Sequence, residues 1–499
     1  MGSLALPTNY QHVVVRGPPY ERGLSHGQQA REKILASLEH YSQPGKLLPW
    51  DMCQRIIHEV YIPGVEKFFP EALPEMQGIA DGAGVDLEKI VLLNARYDLA
   101  RVRGAGIRAC PSDSVEEASS IPSQPEIAAP IASAIAVESL TQGIMPNANG
   151  YTNGRSTNGT TTTQLVDDES SHDPALQECT AAGILAEATT SGSVLLVQNW
   201  DMSASVYTND TALLLEVHPD PSEGIPAMFL VTEAGQLGRS GINAAGLAVC
   251  ACSLMSTEDY FPLLVNEEKQ QQQQQKQKQK QAPLLPMTLM RRQFLHNINF
   301  SNGLINIRNA PRHVSNRLVV GTADNFVLNM EVTPSAVHLA YPYATSSTYT
   351  PVGHYPFVVG ANHFVNPAFH ASGWADRNPG GSTWFRDVRV AQGLRRPAGV
   401  KGAVARKVNT AEGDGDAGGL LTPEDVTQAF CDHLSAPSSV CQHMEDCTVR
   451  GVPDYPYRGR QITLAHVRYD LTRRTATVCK GPPCMGVFQE FAIPPVANC

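Results

Sequence analysis

The junction Glu178-Cys179-Thr180 offers the clearest chemistry in this 499-residue sequence, because a thiol there heads a short apolar run after a long polar segment. If the peptide bond between Glu178 and Cys179 breaks, the new α-amine lies beside its own Sγ. An amine with a pKa of about 7.7 to 8.0 is partly unprotonated at neutral pH and can accept the thiol proton. Cys179 would then supply both nucleophile and base. The same spacing also fits a buried, unreactive cysteine that packs as a small apolar side chain.

Other cysteines give weaker indications of chemistry. Cys110 precedes Pro111 and a polar segment, so no predicted strand carries it into a sheet. Cys250 and Cys252 are two residues apart in a predicted strand, where alternate side chains share a face, and this favours a structural role.

A Cys/His-rich stretch near the C-terminus has residue types that would suit zinc. Its members are Cys431, His433, Cys441, His443 and Cys447. The spacing lacks the tight CxxC pair of common zinc sites and crosses a predicted helix end. We therefore predict no metal site and interpret the cysteines as core residues, with a zinc protein as an alternative.

The elements that must position Cys179 follow from hydrophobic periodicity. Before about residue 108 the apolar spacing is helical, and Asp86 can cap a helix at its start. After Cys179, short β-branched runs between turn residues predict strands, and helices interrupt them. One such helix begins at Thr422-Pro423-Glu424-Asp425, a capping sequence. The order of strands and helices favours an α+β fold with antiparallel sheets over a doubly wound parallel fold.

Three segments depart from a globular composition. Residues 111–175 are rich in Ser, Thr, Asn, Gly and Pro, which predicts a disordered insertion. Residues 266–281 form a Gln/Lys tract and residues 397–419 are rich in Gly, Ala and basic residues, which predicts two further low-complexity insertions. Without them the chain is one large unit rather than the three domains that about 150 residues per domain would suggest.

The overall charge and hydropathy narrow the class of partner. The chain has 38 Lys and Arg against 48 Asp and Glu, a net charge of −10 that argues against a nucleic-acid binder. No apolar run reaches the ~18 to 20 residues of a membrane span, and the N-terminus does not have the pattern of a signal peptide. Together with 11 cysteines, an odd number, these features predict a soluble cytoplasmic protein without a membrane partner.

Short motifs along the ordered chain, from about residue 13 to about residue 485, occur in the order found in one known family. They are Gly17-Pro18-Pro19-Tyr20-Glu21-Arg22-Gly23 with His26-Gly27, Gly78-Ile79-Ala80-Asp81-Gly82-Ala83, Leu93-Asn94-Ala95-Arg96, Cys179-Thr180, Gln198-Asn199-Trp200-Asp201, Thr232-Glu233-Ala234-Gly235, Gly241-Ile242-Asn243-Ala244-Ala245-Gly246 and Asn362-His363. In these motifs the chain resembles the acyl-coenzyme A:6-aminopenicillanate acyltransferase (isopenicillin N acyltransferase-like) family of N-terminal-nucleophile hydrolases.

The resemblance implies a four-layer αββα sandwich made as a proenzyme. Autocatalytic cleavage between Glu178 and Cys179 would give a helical α chain, residues 1–178, and a β chain, residues 179–499, which remain partners. By resemblance, Asp201 orients the α-amine or hydrogen-bonds near the nucleophile. Asn362 would donate an amide N–H to the oxyanion, a contact whose loss commonly costs about 3 kcal/mol in the barrier.

Four positions bear on how far the resemblance reaches. Arg96 lies in a shared motif and is a further candidate site residue. Thr333 stands where the penicillin enzyme has a serine, Gln442 where it has an arginine and Glu178 where it has a glycine. Because a charged partner for substrate is replaced by Gln442, a role in a penicillin pathway is not implied.

These observations predict a self-processing cysteine amidohydrolase or acyltransferase that acts on a small acyl amide or thioester through an acyl-Cys179 intermediate. No cofactor is expected, and acyl-coenzyme A is a candidate substrate. Two alternatives stay open. One is an amidase similar to acid ceramidase or bile-salt hydrolase, and the other is an inactive binding or scaffold protein with the same fold.

Overall fold

Two β-sheets and the helices packed on them make up the part of the chain that the computed structural model describes. The described residues are 8–103, 107–110, 179–263, 281–343, 355–395, 419–444 and 461–493, and they belong to one compact unit. Glu178 and the predicted insertion at 111–175 lie outside them, as do nearly all of 266–281 and 397–419. Among the described residues, no helix combines the length and the apolar character that crossing a bilayer requires.

The N-terminal part is mainly helical, as predicted, but it begins with a strand that the sequence analysis missed. This strand is β1 (Gln11–Gly17). The helices that follow are α1 (Pro19–Gln29), α2 (Arg31–Ser42), α3 (Trp50–Ile56), α4 (Ile62–Phe68), α5 (Ala72–Ala83) and α6 (Leu87–Arg101), with a π-helical turn over Ile57–Tyr61. Asp86 is the N-cap residue of α6, but its side chain forms no capping hydrogen bond.

The larger sheet has eight described strands, in the spatial order β1-β4-β5-β6-β7-β8-β9-β10. Its remaining members are β4 (Ala212–Pro219), β5 (Met228–Glu233), β6 (Ser240–Asn243), β7 (Leu247–Ser253), β8 (Asn316–Thr322), β9 (Phe326–Val332) and β10 (Val337–Ala340). Strand β1 pairs with β4 in parallel, and the other pairings between these strands are antiparallel. The N-terminal segment is therefore built into this sheet.

The smaller sheet has six described strands, all paired antiparallel, in the order β11-β2-β3-β12-β13-β14. Their bounds are β2 (Cys179–Ile184), β3 (Leu195–Ser203), β11 (Phe357–Gly360), β12 (Gln461–Asp470), β13 (Thr475–Lys480) and β14 (Phe488–Ala492). Helices along the rest of the chain are α7 (Ala204–Thr208), α8 (Met287–Leu295), α9 (Phe300–Asn309), α10 (Pro367–Ala371), α11 (Thr383–Arg395) and α12 (Pro423–Ala429). Helix α12 begins with the predicted capping box between Thr422 and Asp425.

Three apolar cores account for the burial of both sheets. One core contains side chains of both sheets, a second joins the larger sheet to helices of the N-terminal part and to α8, and a third joins the smaller sheet to α11 and α12. Strand β2 is buried on both faces, since Ala181 belongs to the first of these cores and Ala182 to the third. The mixed composition of helices and mainly antiparallel sheets confirms the α+β class.

The two sheets approach each other closely at β2. A Cβ atom on Gly183 would lie 2.9 Å from Cβ of Val327 and 3.2 Å from Cγ1 of Val319, both on the larger sheet. Real Cβ atoms do not approach that closely, so glycine permits this contact. The strand that begins with Cys179 is therefore held firmly between its neighbours.

Candidate active site

Cys179 is the first residue of β2, as the sequence predicts, and its side chain is 1% exposed. It lies opposite Trp200 of β3 in the antiparallel pairing, so the predicted hairpin partner QNWD is the neighbouring strand. Cys179 belongs to the core between the two sheets. The thiol is therefore buried between the two sheets.

The backbone of Cys179 is fixed by two side chains from distant segments. Its N–H donates to Oδ1 of Asn362 at 2.7 Å. Its carbonyl oxygen accepts from Nη1 of Arg386 at 2.6 Å, and Nη2 of the same guanidinium donates to Oδ1 of Asn362 at 2.7 Å. The two contacts hold the nitrogen that would become an α-amine and the carbonyl that follows it.

The orientation of the Asn362 amide is set by its neighbours. Nδ2 donates to both the carbonyl oxygen and Oγ of Ser253, each at 2.9 Å, while Oδ1 receives the two donors from Cys179 and Arg386. A flipped amide would place Nδ2 against two other donors, so the network excludes the flip. In this geometry Asn362 accepts a hydrogen bond from Cys179, and its predicted donation to an oxyanion would require Nδ2 to leave Ser253. That donation stays a prediction.

The surroundings of the Cys179 thiol favour the thiolate. Burial alone would raise the pKa of the Cys179 thiol, but a hydrogen bond from Cys252 and the charge of Arg239 lower it, with smaller effects from the Asp201 backbone and Arg386. The pKa falls from 9.0 to about 6. Nη2 of Arg239 lies 3.9 Å from Sγ of Cys179. A thiolate is the nucleophilic form of cysteine, and a pKa of about 6 makes it the main form of Cys179 at neutral pH.

Two buried guanidinium groups, those of Arg96 and Arg239, carry charges that act on Cys179. They differ in the anions that lie nearest to them. Arg96 forms an ion pair with Glu233, whose other oxygen accepts from the Tyr41 hydroxyl at 2.7 Å. Arg239 lies over the ring of Trp200, 3.9 Å from its centroid, and no carboxylate in the described part of the chain is within ion-pair distance of it. Among the groups that favour the charged form of Arg239, Cys179 acts most strongly, ahead of Glu233 and Tyr41.

Asp201 reaches the site through both its backbone and its side chain. Its backbone amide interacts with the Cys179 thiol, and its Oδ1 accepts from the Thr463 hydroxyl at 2.6 Å. Oγ1 of Thr463 also accepts from the backbone N–H of Gln442 at 2.9 Å. Gln442 thus lies two hydrogen bonds from the Asp201 carboxylate.

The structure brings most of the predicted site residues together. Cys179 is hydrogen-bonded to Asn362 and to the backbone of Asp201, and the charge of Arg96 acts on Cys179. Gln442 is connected to Asp201 through Thr463. Thr333 is different, because its described contacts lie in a turn after β9. Its Oγ1 accepts from the Ala336 N–H at 3.1 Å, and its carbonyl oxygen accepts from Nε of Arg312 at 2.6 Å.

Three residues of the site were missed at the level of sequence. Arg239 carries a signal, because it is the one charged residue between Glu233 and Glu258, and a lone charge in an apolar stretch is buried only with a partner. Arg386 lies in a predicted helix with several other charged residues, a pattern typical of an exposed helix. Cys252 lies in an apolar run, a pattern typical of a core cysteine. Neither offers a local signal.

No protein-family model matches the chain. Among solved structures it is similar to a penicillin V acylase from Agrobacterium tumefaciens, at 11% identity over 63% of this chain and 86% of that one, with a TM-score of 0.34. It is also similar to a mutant conjugated bile acid hydrolase from Clostridium perfringens, at 12% identity over 63% and 92% of the two chains, with a TM-score of 0.29. At these TM-scores the similarity supports no statement about activity, and the chemistry of the site rests on its own geometry.

Proposed function

We propose that the chain is a self-processing N-terminal-nucleophile enzyme, a cysteine amidohydrolase or acyltransferase related to the family whose motifs it resembles. The observation that carries this proposal is the Cys179 thiol, whose pKa of about 6 lies near neutral pH and whose own backbone nitrogen is held by Asn362. The four-layer αββα arrangement is part of the proposal. It is supported by the three apolar cores, which lie between helices and the larger sheet, between the two sheets, and between the smaller sheet and helices.

In the maturation step, Sγ of Cys179 would attack the carbonyl carbon of Glu178. The C–N bond to Cys179 breaks, the nitrogen takes up a proton and a thioester forms between Glu178 and Sγ. Water then hydrolyses the thioester, which leaves a carboxylate on Glu178 and restores the thiol. The product is a chain that begins with Cys179 and carries a free α-amine next to its nucleophile.

In the catalytic step, the thiolate would attack the carbonyl of an amide or thioester substrate. The protonated α-amine, held by Oδ1 of Asn362, gives its proton to the leaving group, and water or an amine then resolves the acyl-Cys179 intermediate. Arg239 stabilises the thiolate before attack. No resident cofactor enters this scheme, since the protein supplies both nucleophile and base.

The test of self-processing is the mass of the purified full chain. From the 53.9 kDa of the precursor, cleavage before Cys179 gives fragments of about 19 and 35 kDa, and the larger should begin with Cys-Thr-Ala-Ala. A Cys179→Ala protein should stay intact, whereas Cys53→Ala, which changes a buried thiol in α3, should be cleaved as the wild type is. A wild-type chain that stays whole after prolonged incubation contradicts the proposal.

A second experiment distinguishes hydrolysis of the acyl group from its transfer. With a fatty-acyl amide alone, turnover without coenzyme A indicates an amidase similar to acid ceramidase or bile-salt hydrolase. Turnover that requires an acyl-coenzyme A donor indicates an acyltransferase. Absence of labelling at Cys179 by iodoacetamide in the folded protein would instead support an inactive scaffold.

A further inference from the structure

A second group of thiols and imidazoles lies where the segment after α12 meets the turn after β13. It consists of His433, Cys441 and His443 from that segment and Cys484 from the turn. Their four ligand atoms, two Nε2 and two Sγ, all lie within 4.8 Å of one another. This metal-ligand cluster shares no residue with the group around Cys179, although Gln442 of that group lies between Cys441 and His443 in the chain.

Four of the six separations between these ligand atoms are close to those expected around one tetrahedral ion. The two sulfurs are 3.6 Å apart, Nε2 of His443 lies 3.5 Å from Sγ of Cys441 and 3.3 Å from Sγ of Cys484, and the two Nε2 atoms are 3.0 Å apart. Zinc bonds of about 2.3 Å to sulfur and about 2.0–2.1 Å to nitrogen place tetrahedral ligands about 3.8 Å apart for S–S, 3.5 Å for S–N and 3.3 Å for N–N. These four separations agree with the tetrahedral values within about 0.3 Å, and the two from Nε2 of His433 to the sulfurs are within 4.8 Å.

Hydrogen bonds alone do not account for the convergence. Nε2 of His443 faces three ligand atoms, those of His433, Cys441 and Cys484. An imidazole nitrogen has either one proton or one lone pair, so it can form at most one good hydrogen bond in that plane. A single cation at the common centre satisfies four lone pairs at once.

The position in the fold suits a structural rather than a catalytic metal. The segment from Phe430 to His443 contains no named helix or strand. It is held to the smaller sheet by Nδ2 of Asn199, which donates to the carbonyl oxygens of Phe430 at 3.0 Å and Val440 at 2.8 Å. A metal would tie the same segment to the turn after β13, and four protein ligands leave no open coordination position.

We propose that His433, Cys441, His443 and Cys484 bind one Zn²⁺ ion. Two thiols lose their protons on binding, so two thiolates and two neutral imidazoles leave the site without net charge. The inference departs from the sequence analysis, which predicted no metal and grouped His433, Cys441 and His443 with Cys431 and Cys447. In the structure Cys484 takes the fourth place, and Cys447 lies outside the described residues.

The experiment measures metal in the purified full chain by inductively coupled plasma mass spectrometry. We expect about one equivalent of zinc in the wild type and less than about 0.2 equivalent in a Cys484→Ser, His433→Asn double variant. Both altered residues are exposed, so the variant should still fold. The Cys53→Ser protein is the matched control and should keep its zinc.

Exchange with Co²⁺ reads the ligand set directly. The wild type should show the visible bands of tetrahedral cobalt and a thiolate-to-metal charge-transfer band, and Cys484→Ser alone should weaken the latter. Chelation should lower the melting temperature by several degrees, because an ion that binds only the folded state stabilises it. A wild type with less than about 0.1 equivalent of any transition metal after growth with added zinc, or with Cys441 and Cys484 joined as a disulfide, overturns the proposal.

Discussion

Cys179 and the cysteines of the metal-ligand cluster have the same side chain, but their neighbours change the pKa of the thiol in opposite directions. Cys179 lies between the sheets beside fixed guanidinium groups, and its pKa is lowered to about 6. Burial raises the pKa of Cys441, and so does the neighbouring Cys484. Guanidinium groups stabilise a thiolate and leave its lone pairs available for attack. Neutral imidazoles carry no charge, so thiolates beside them need a cation that both kinds of side chain can bind. The neighbours of a thiol thus distinguish the proposed nucleophile from the proposed metal ligands.

The largest change in the pKa of Cys179 should come from removing the positive charge beside it. In Arg239→Met the apolar stem is kept but the charge at 3.9 Å is lost, so the pKa of Cys179 should rise by about two units. Iodoacetamide labelling of Cys179 should then slow about tenfold at pH 7 and recover at pH 9, because the thiolate fraction follows the pKa.

The conservative variant is the control for this change. Arg239→Lys keeps a cation over Trp200 and should retain most of the labelling rate at pH 7. An unchanged pH midpoint in Arg239→Met would show that the Arg239 charge does not determine the state of the thiol.

A smaller effect is expected from Cys252→Ala, which removes the S–H donor to Cys179. A thiol is a weak donor, so the midpoint of the labelling profile should rise by less than one unit and the rate at pH 7 should fall by less than about twofold. Cys250→Ala changes the next thiol on the same face of β7 and should move the midpoint less. Equal shifts in the two variants would mean that packing, not the hydrogen bond, is responsible.

The smallest effect on the thiol should follow Thr463→Val, which keeps the shape of the side chain. Its hydroxyl contacts Asp201 and Gln442 rather than Cys179, so the labelling midpoint should move less than in Cys252→Ala. The free energy of unfolding should nevertheless fall by about 1–3 kcal/mol, since a buried acceptor loses its donor. Denaturant unfolding compared with the labelling profile separates the two effects.

The parts of the site that could be predicted are those set by local sequence. Cys179 heads a strand because a polar segment gives way there to an apolar run, and Asp201 follows on the paired strand. Asn362 and Arg386 meet Cys179 from 183 and 207 residues away, and nothing local shows which way the Asn362 amide points. The motifs provided Asn362, but not its acceptor role.

The same contrast between local and distant residues explains the missed strand β1 and the missed place of Cys484. Strand β1 was missed because its partner β4 lies about 200 residues away and the segment adjoins a helical block. The cluster near residue 440 was recognised by composition, but Cys484 was not grouped with it. Cys484 reaches it through the hairpin of β12 and β13, which brings Sγ of Cys484 to Cys441 across 43 residues.

Strand β2 is paired on one side with β3 and on the other with β11. This pairing limits the conformational entropy that cleavage before Cys179 would release. Chain ends usually fray, and ordering one residue costs about 1–2 kcal/mol. Cys179 would become a chain end, yet its nitrogen and carbonyl are already held by Asn362 and Arg386 in the uncut chain. The new terminus would therefore be preorganised, and its conformational entropy would already be spent during folding.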